Sequence, residues 1–418
     1  MIVVVGAGAA GLAAAIFASA GGQPVTVIET TPDGGRKILI SGGGRCNILP
    51  ETLAPRRFVT DSPAPLVRRY LCSWPLREQR TFFERDVGVP LKFEPDPGKW
   101  FPVSDRARDV RNGLIDLARR KNVEFRFNTA LVDVVPSPPG LVVRTSRGEL
   151  DASAVILATG GLSVPATGST GTGLTVARAL GHVVHETYPA LTPLVASPAV
   201  HANLAGVSLN VRIRARHPPG GQSHFVGSDR PLTDAEAHGG FLFTHRGYSG
   251  PSVLDMSHVA IRSLAEDSPR AVLRVRWAEL DEASWHRELV GAGGLVANVV
   301  AAQVPKRLAD ALVAECGIPQ GLHAAELRRE DRMKLVERLI AYPLPWTDHE
   351  GFKKAEVTGG GVALDEVEPR TLESRRVGGL FLCGEILDAF GPIGGHNFAW
   401  AWATGRLAGL GAAEKVAG

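Results

Sequence analysis

The sequence predicts an α/β fold in which a parallel-sheet domain is split by a β-rich and helical insertion. Three observations predict it. An apolar strand, a glycine-rich turn, a helix and a second strand open the chain within about 30 residues. Near residue 187 the pattern changes to proline, histidine and short alternating strands. Near 355 the apolar strand signal returns. The expected boundaries are 1–186 with 354–418 for the split domain, 187–283 for the β-rich insertion and 284–353 for a helical subdomain.

Taken in order, Ile2 to Val5 form a β-branched run suited to a strand buried on both faces. GAGAAG (Gly6 to Gly11) then leads into LAAAIFASA, a run of helix formers, and Val25 to Glu29 make the second strand. Residues 65–87 read as helix broken at Pro75, LKFEPDPGKWFPV as a hairpin, and DRARDVRNGLIDLARRK as a helix N-capped by Ser104. VEFRFNT, ALVDVVP, LVVRTS and ELDA read as strands, and AVILATGG (154–161) as a further apolar strand. VSLNVRIRAR, FLFTH and AVLRVRW suggest a small antiparallel sheet or barrel. PKRLADALVAEC follows as a helix with proline at its first position. AEVTGGGV and GGLFLCGEIL restore the first domain, and NFAWAWATGRLAGLGAA closes it as a small-residue helix.

Composition bounds the function classes. At 418 residues, with 44% hydrophobic and 21% charged residues, the chain resembles an ordinary soluble enzyme. The net charge of +3 is small and the excess looks scattered, so no nucleic-acid partner is expected. Cys46, Cys72, Cys316 and Cys383 have neither disulfide nor metal spacing, which favours a reducing cytoplasm and no metal site. The apolar start has no basic flank and five glycines, so it reads as strand–turn–helix rather than a leader or membrane span.

The first motif carries the chemistry. Gly6 allows the tight turn, Gly8 lets backbone approach a pyrophosphate, and Gly11 lets helix pack on strand; Ala9 and Ala10 open the helix. Free N–H groups there face an anion, and Glu29 at the second strand's end can accept from ribose hydroxyls. With strand, helix and acid all present, this is a Rossmann-like dinucleotide site. Three later features favour FAD over NAD. Only one such unit exists. AVILATGG, with Ala158, Thr159 and Gly160, resembles the internal strand element of two-dinucleotide-binding-domain flavoproteins. FLCGEILDAFGPIGGHNFAWAWATG places an acid-bearing strand end before a glycine turn and a helix start suited to the flavin's pyrimidine edge. No second motif marks a dedicated NAD(P)H domain.

KILISGGGRCN, FPVSDRARDV, ATGGLSVPATGSTGTG, FTHRGYSGPSVLDMS and the stretch from VTGGGV to FLCGEILD together resemble the aminoacetone oxidase-like group of bacterial flavoproteins. That group takes in bile-acid-inducible flavin reductases. The resemblance implies non-covalent FAD and three parts: a discontinuous FAD-binding Rossmann-like domain, a small β-barrel-like domain and a helical subdomain. It carries over a flavin loop on Lys37, Ser41, Gly42, Gly43, Gly44, Arg45, Cys46 and Asn47. A second flavin motif falls on Gly384, Glu385, Asp388, Gly391, Gly394, Gly395 and Asn397, with Phe398 and Val132 as further cofactor contacts. GGHN replaces the group's GGYN, so His396 stands where a tyrosine is expected.

Individual residues keep alternatives. His396 is a proton donor or acceptor near the ring, or packs at the turn. His245 serves substrate at a structural corner, or only builds that corner. Ser249 in GYSGP lacks the GxSxG elbow of a hydrolase. Cys46 reads as a small buried filler rather than a redox thiol. Lys37 and Arg45 bind the cofactor or pair with acids. The expectation is an FAD-dependent oxidoreductase that takes hydride from a small substrate, an amine by resemblance, held between the FAD domain and the insertion. The alternatives are a reductase of an activated C=C bond fed by transient NAD(P)H, and a non-catalytic flavin sensor. The oligomeric state is not legible.

Overall fold

The structure is a computed structural model and describes residues 1–216, 235–264 and 270–418. It divides into two compact units, Met1–Pro189 with Glu356–Gly418, and the described residues of 190–355.

The first unit is organised by β1 (Ile2–Val5), α1 (Ala9–Ala18) and β2 (Val25–Ile28). β1 lies in the middle of a five-stranded parallel sheet. Ala154–Leu157 and then Leu380–Leu382 pair on one side of it, and β2 and then Glu124–Arg126 on the other. Ile2, Val3 and Val4 are fully buried, as strands covered on both faces must be. The last helix, His396–Ala417, packs along α1. Gly405 and Gly409 let it approach, because a Cβ at either would meet α1 carbonyl oxygens at 2.4 Å. Glycine in a helix costs about 1 kcal/mol against alanine, and here it gives two helices direct backbone contact. The hairpin Leu91–Glu94 with Lys99–Pro102 carries Leu49–Pro50 on its edge, and 131–152 form a three-stranded meander.

The second unit is a seven-stranded antiparallel sheet with five helices among its described residues: Pro251–Arg262, Glu282–Gly291, Val296–Ala301, Lys306–Glu315 and Arg329–Ala341. Strand residues Val211, Phe241 and Trp277 share one core with helix residues Leu308, Leu312 and Leu335. A closed polar group sits within it. His201 meets the Tyr248 hydroxyl at 2.8 Å and Glu315 at 3.0 Å, while Tyr342 donates to the other Glu315 oxygen.

Two helix starts differ from expectation. Ser104 does not cap Ala107–Arg120: Arg106 occupies the cap without a side-chain bond, and Asp105 turns left-handed at φ 55. Asp105 faces Arg45 and Lys92 instead, which draws the turn away from the helix. Pro305 precedes its helix rather than sitting first within it. It stays extended while its carbonyl accepts from Leu308 and Ala309.

Candidate functional site

The parallel strands of the first unit all end on one edge, where open α/β sheets bind nucleotides. β1 delivers Gly6, β2 delivers Glu29, Leu157 delivers Ala158 and Leu382 delivers Gly384. The Gly6 turn is dictated by contact: at φ 103 its Cβ would lie 2.6 Å from the Ala158 carbonyl oxygen, and a Cβ on Gly11 would lie 1.8 Å from that of Gly6. Nothing lies within 4 Å of a Cβ on Gly8, so this face of the turn is open. Ala9 and Ala10 start α1 without a side-chain cap. Glu29 is already anchored: it accepts from the Ala7 N–H at 2.8 Å and from the Thr31 N–H and hydroxyl at 2.9 and 2.8 Å. A carboxylate has about four acceptor positions, so capacity remains for a ribose hydroxyl. Thr159 and Gly160 continue the neighbouring loop, where Gly160 is left-handed at φ 71. Val132 lies in the meander and is 59% exposed.

The flavin-loop candidates split into groups held by acids and groups left open. Lys37 donates to Glu385 at 2.7 Å and to Ser163 at 2.5 Å, and Ser163 donates to Glu385 at 2.6 Å. The Thr358 N–H completes the Glu385 shell, and the Thr358 hydroxyl takes the N–H groups of Leu162 and Ser163. Arg45 lies between Glu94 and Asp105 and over the Phe101 ring, with its guanidinium 4.2 Å from the centroid. The arginine holds both carboxyls below their ordinary range, Asp105 with Lys92 acting first. Ser41 donates to the Ile38 carbonyl. Gly42, Gly43 and Gly44 are exposed and left-handed, a stretch of bare backbone. Cys46 is fully buried at φ 62, and burial pushes its thiol up to about 12, so it stays protonated and unreactive at neutral pH. Asn47 lies beside Gly395, where a Cβ would meet the Leu49 backbone at 2.7 Å and the Asn47 carbonyl at 3.0 Å. The SGGGRCN loop and the GGHN turn are therefore adjacent.

The last helix ties these loops together. Trp400 donates to the Gly384 carbonyl at 3.1 Å, Thr404 accepts from the Gly384 N–H at 3.0 Å, and Trp402 donates to the Ile48 carbonyl at 3.2 Å. Phe398 stacks on Trp402 at 5.4 Å. Asn397 spends its amide on the turn itself, accepting from the Gly391 N–H and donating to the Gly391 carbonyl. Asp388 is 1% exposed, and one of its oxygens accepts from Thr60, Asp61 N–H, Ser62 N–H and the Ser62 hydroxyl. Burial pushes its carboxyl up to about 6, opposed by the Ser62 hydroxyl and by His185 at 3.7 Å. With Gly394 and Gly395 left-handed, His396 begins the helix. It is 5% exposed and lies edge-on to Phe58 at 6.3 Å; its ring nitrogens make no hydrogen bond of good geometry, the Ile393 backbone being their nearest polar contact. Burial, with Arg57 adding, drives the imidazole down to about 4, so it is neutral at pH 7. His245 belongs to the second unit and is exposed in the bend after Glu236–Phe243.

Sequence alone does not single out Ser163, Thr358, Thr60, Ser62 or Thr404. Ser163 and Thr358 lie in the quoted ATGGLS and VTGGGV blocks, but nothing local marks them. The residues present fit a dinucleotide flavin. An open glycine turn with free helix N–H groups suits a pyrophosphate, and Glu29 suits a ribose. The bare Gly42–Gly44 backbone and the buried His396 nitrogens, which make no hydrogen bond of good geometry, mark the ring end. Among the described residues no cluster could hold a metal ion, and no helix is long and apolar enough to cross a membrane.

Fold and site define an FAD-dependent oxidoreductase. The chain belongs to the HI0933-like family: it matches the HI0933-like protein Rossmann domain over residues 1–411. It is similar to the 3-dehydro-bile acid delta(4,6)-reductase of Clostridium scindens, 32% identical over 420 residues, or 99% of this chain and 98% of that one. It is also similar to the ribosomal RNA dihydrouridine synthase of Escherichia coli, 30% identical over 416 residues, or 96% and 95% of the two chains. Among solved structures, the 3-ketosteroid-delta4-(5alpha)-dehydrogenase of Rhodococcus jostii RHA1 shares the fold. The TM-score is 0.50 at 17% identity, over 99% of this chain and 96% of the other.

Proposed function

We propose that the chain is a flavin-dependent reductase of a C=C bond conjugated to a ring carbonyl. One observation carries the reading: two relatives that each match nearly the whole chain at 30% identity or more differ in substrate but share a reaction type. Saturating a delta(4,6) bond in a 3-dehydro bile acid and forming dihydrouridine both add two hydrogens across a C=C bond conjugated to a carbonyl. FAD, when bound and reduced by NAD(P)H, would supply the hydride, and a proton from solvent would complete the second C–H bond. Gly6, Gly8 and Gly11 with Glu29 would hold its nucleotide half, and the SGGGRCN loop with the GGHN turn its ring end. His396 is too weak a base to carry a proton at pH 7, so its role is that of a neutral hydrogen-bond donor to a carbonyl oxygen. Such a bond draws electron density out of the conjugated system. The Lys37–Ser163–Glu385–Thr358 group keeps the surrounding loops in register.

NAD(P)H, binding transiently, is the proposed electron source. The test is anaerobic mixing. NADH or NADPH is expected to bleach the flavin, and a 3-oxo-Δ4 steroid or a uridine-containing RNA to restore its colour with a mass gain of two hydrogens. If neither acceptor reoxidises the flavin while an amine reduces it, the reaction runs in the oxidative direction and the proposal fails.

A further inference from the structure

Residues 52–77 hold five arginines, Arg56, Arg57, Arg68, Arg69 and Arg77, and a single acid, Asp61. All five are exposed, and none of the five side chains has an ion-pair partner among the described residues. Other arginines of the unit lie against acids, as Arg45 does against Glu94 and Asp105, Arg80 against Glu84 and Arg376 against Glu366; what sets residues 52–77 apart is five exposed arginines with one acid among them. The uncompensated set borders the ring end of the site. Phe58 follows Arg56 and Arg57, and its ring lies 6.3 Å from His396 and 5.9 Å from Trp400. Tyr70 follows Arg68 and Arg69, and its ring lies 5.9 Å from Trp400. These aromatics form a wall that reaches His396, and the arginines stand on its outer side. Arg57 is close enough for its charge to be felt by the His396 imidazole.

A small anion would occupy one or two of these guanidinium forks. The five span a turn, the helix Ala64–Cys72 and the start of the next helix; the first helix alone is about 13 Å long. Like charges so arranged repel one another in the free protein and match a chain of repeating negative charge. Guanidinium forks suit phosphate oxygens, which they bind in pairs of hydrogen bonds. The whole-chain charge of +3 hides this, because acids elsewhere cancel it in the sum but not in space.

We infer that the Arg56–Arg77 face docks a single-stranded phosphodiester chain beside the ring end of the site. The docking stands on the charge arrangement alone. What it delivers rests on the reductase reading: a conjugated ring carbonyl carried on such a chain is a uracil base in RNA.

The experiment measures binding of a fluorescent uridine-containing RNA oligomer to the FAD-loaded protein by anisotropy across a salt series. Five phosphate contacts give a log–log salt slope of roughly −3.5 for a single strand. Arg68→Ala with Arg69→Ala is expected to weaken binding and reduce the slope by about 1.4. Arg144→Ala, at an ion pair in the meander, should leave it unchanged. Unaltered flavin content and melting temperature show that each variant is folded. A flat salt dependence, or equal binding by wild type and the double variant, overturns the inference. So does arginine-dependent binding to phosphatidylglycerol vesicles without binding to RNA. Reoxidation of the reduced flavin by a 3-oxo-Δ4 steroid or by the uridine-containing RNA, read in parallel, separates the two readings. If neither acceptor restores the flavin colour while RNA still binds, the reductase proposal fails and the docking surface remains.

Discussion

Replacing His396 with phenylalanine should remove a specific acid sensitivity from the fold. The imidazole is 5% exposed, and burial moves it from its ordinary 6.5 to about 4. Between those two values the unfolded chain binds a proton that the folded chain refuses, so stability falls as the pH drops. The loss begins near pH 6.5 and is complete by about pH 4, where it reaches about 3 kcal/mol; above 6.5 the group adds no pH dependence. The ring of His396→Phe cannot titrate, so the stability difference between variant and wild type should grow by about that amount from pH 7.5 to pH 4. His258, also driven down to about 4, is common to both proteins and cancels. Denaturant unfolding at saturating FAD measures the difference. Histidine-selective NMR measures the titration directly, the variant identifying the resonance. A difference that stays constant within about 1 kcal/mol across this range, or a midpoint above 6, would refute the reasoning.

Gly11→Ala drives a Cβ to 1.8 Å from the Gly6 carbonyl oxygen, so the turn must open. Overpacking of this kind costs about 1–3 kcal/mol, and calorimetry should show FAD binding weakened by roughly tenfold or more. Asp388→Ala strips the shared acceptor from four donors of residues 60–62. Thermal unfolding should register a loss of about 3 kcal/mol or more; a loss under about 1 kcal/mol would show that water replaces the carboxylate. Trp402→Phe keeps the stack on Phe398 but loses the bond to Ile48. It should cost about 1 kcal/mol and speed amide exchange in the 46–50 segment.

The sequence was most readable where causes are local. Gly6, Gly8 and Gly11 declare their turn because strand, glycine spacing and helix follow within a few residues, and the hairpin at 91–102 does so for the same reason. Partners distant along the chain were not readable. Lys37 finds Glu385 and Ser163, and Arg45 finds Glu94 and Asp105, only after strands and loops have met. From sequence the loop setting favours the cofactor for both cations over pairing with acids. Ser104 failed as a cap for a related reason, since its neighbour Asp105 was claimed by Arg45. The basic face is not legible in the whole-chain charge, because residues 52–77 concentrate it on one turn, one helix and the start of the next.

The grip of Trp400, Thr404 and Trp402 on the Gly384 and Ile48 loops has a consequence for biosynthesis. The glycine turn that would seat the pyrophosphate leaves the ribosome about 370 residues before the strand Leu380–Leu382 and the helix that braces its loops. A nascent chain therefore carries half a cofactor seat throughout that interval. We expect FAD capture to follow emergence of the helix His396–Ala417. Ribosome-bound chains ending before residue 380 should not retain the flavin, and retention by such chains would show that the first half suffices.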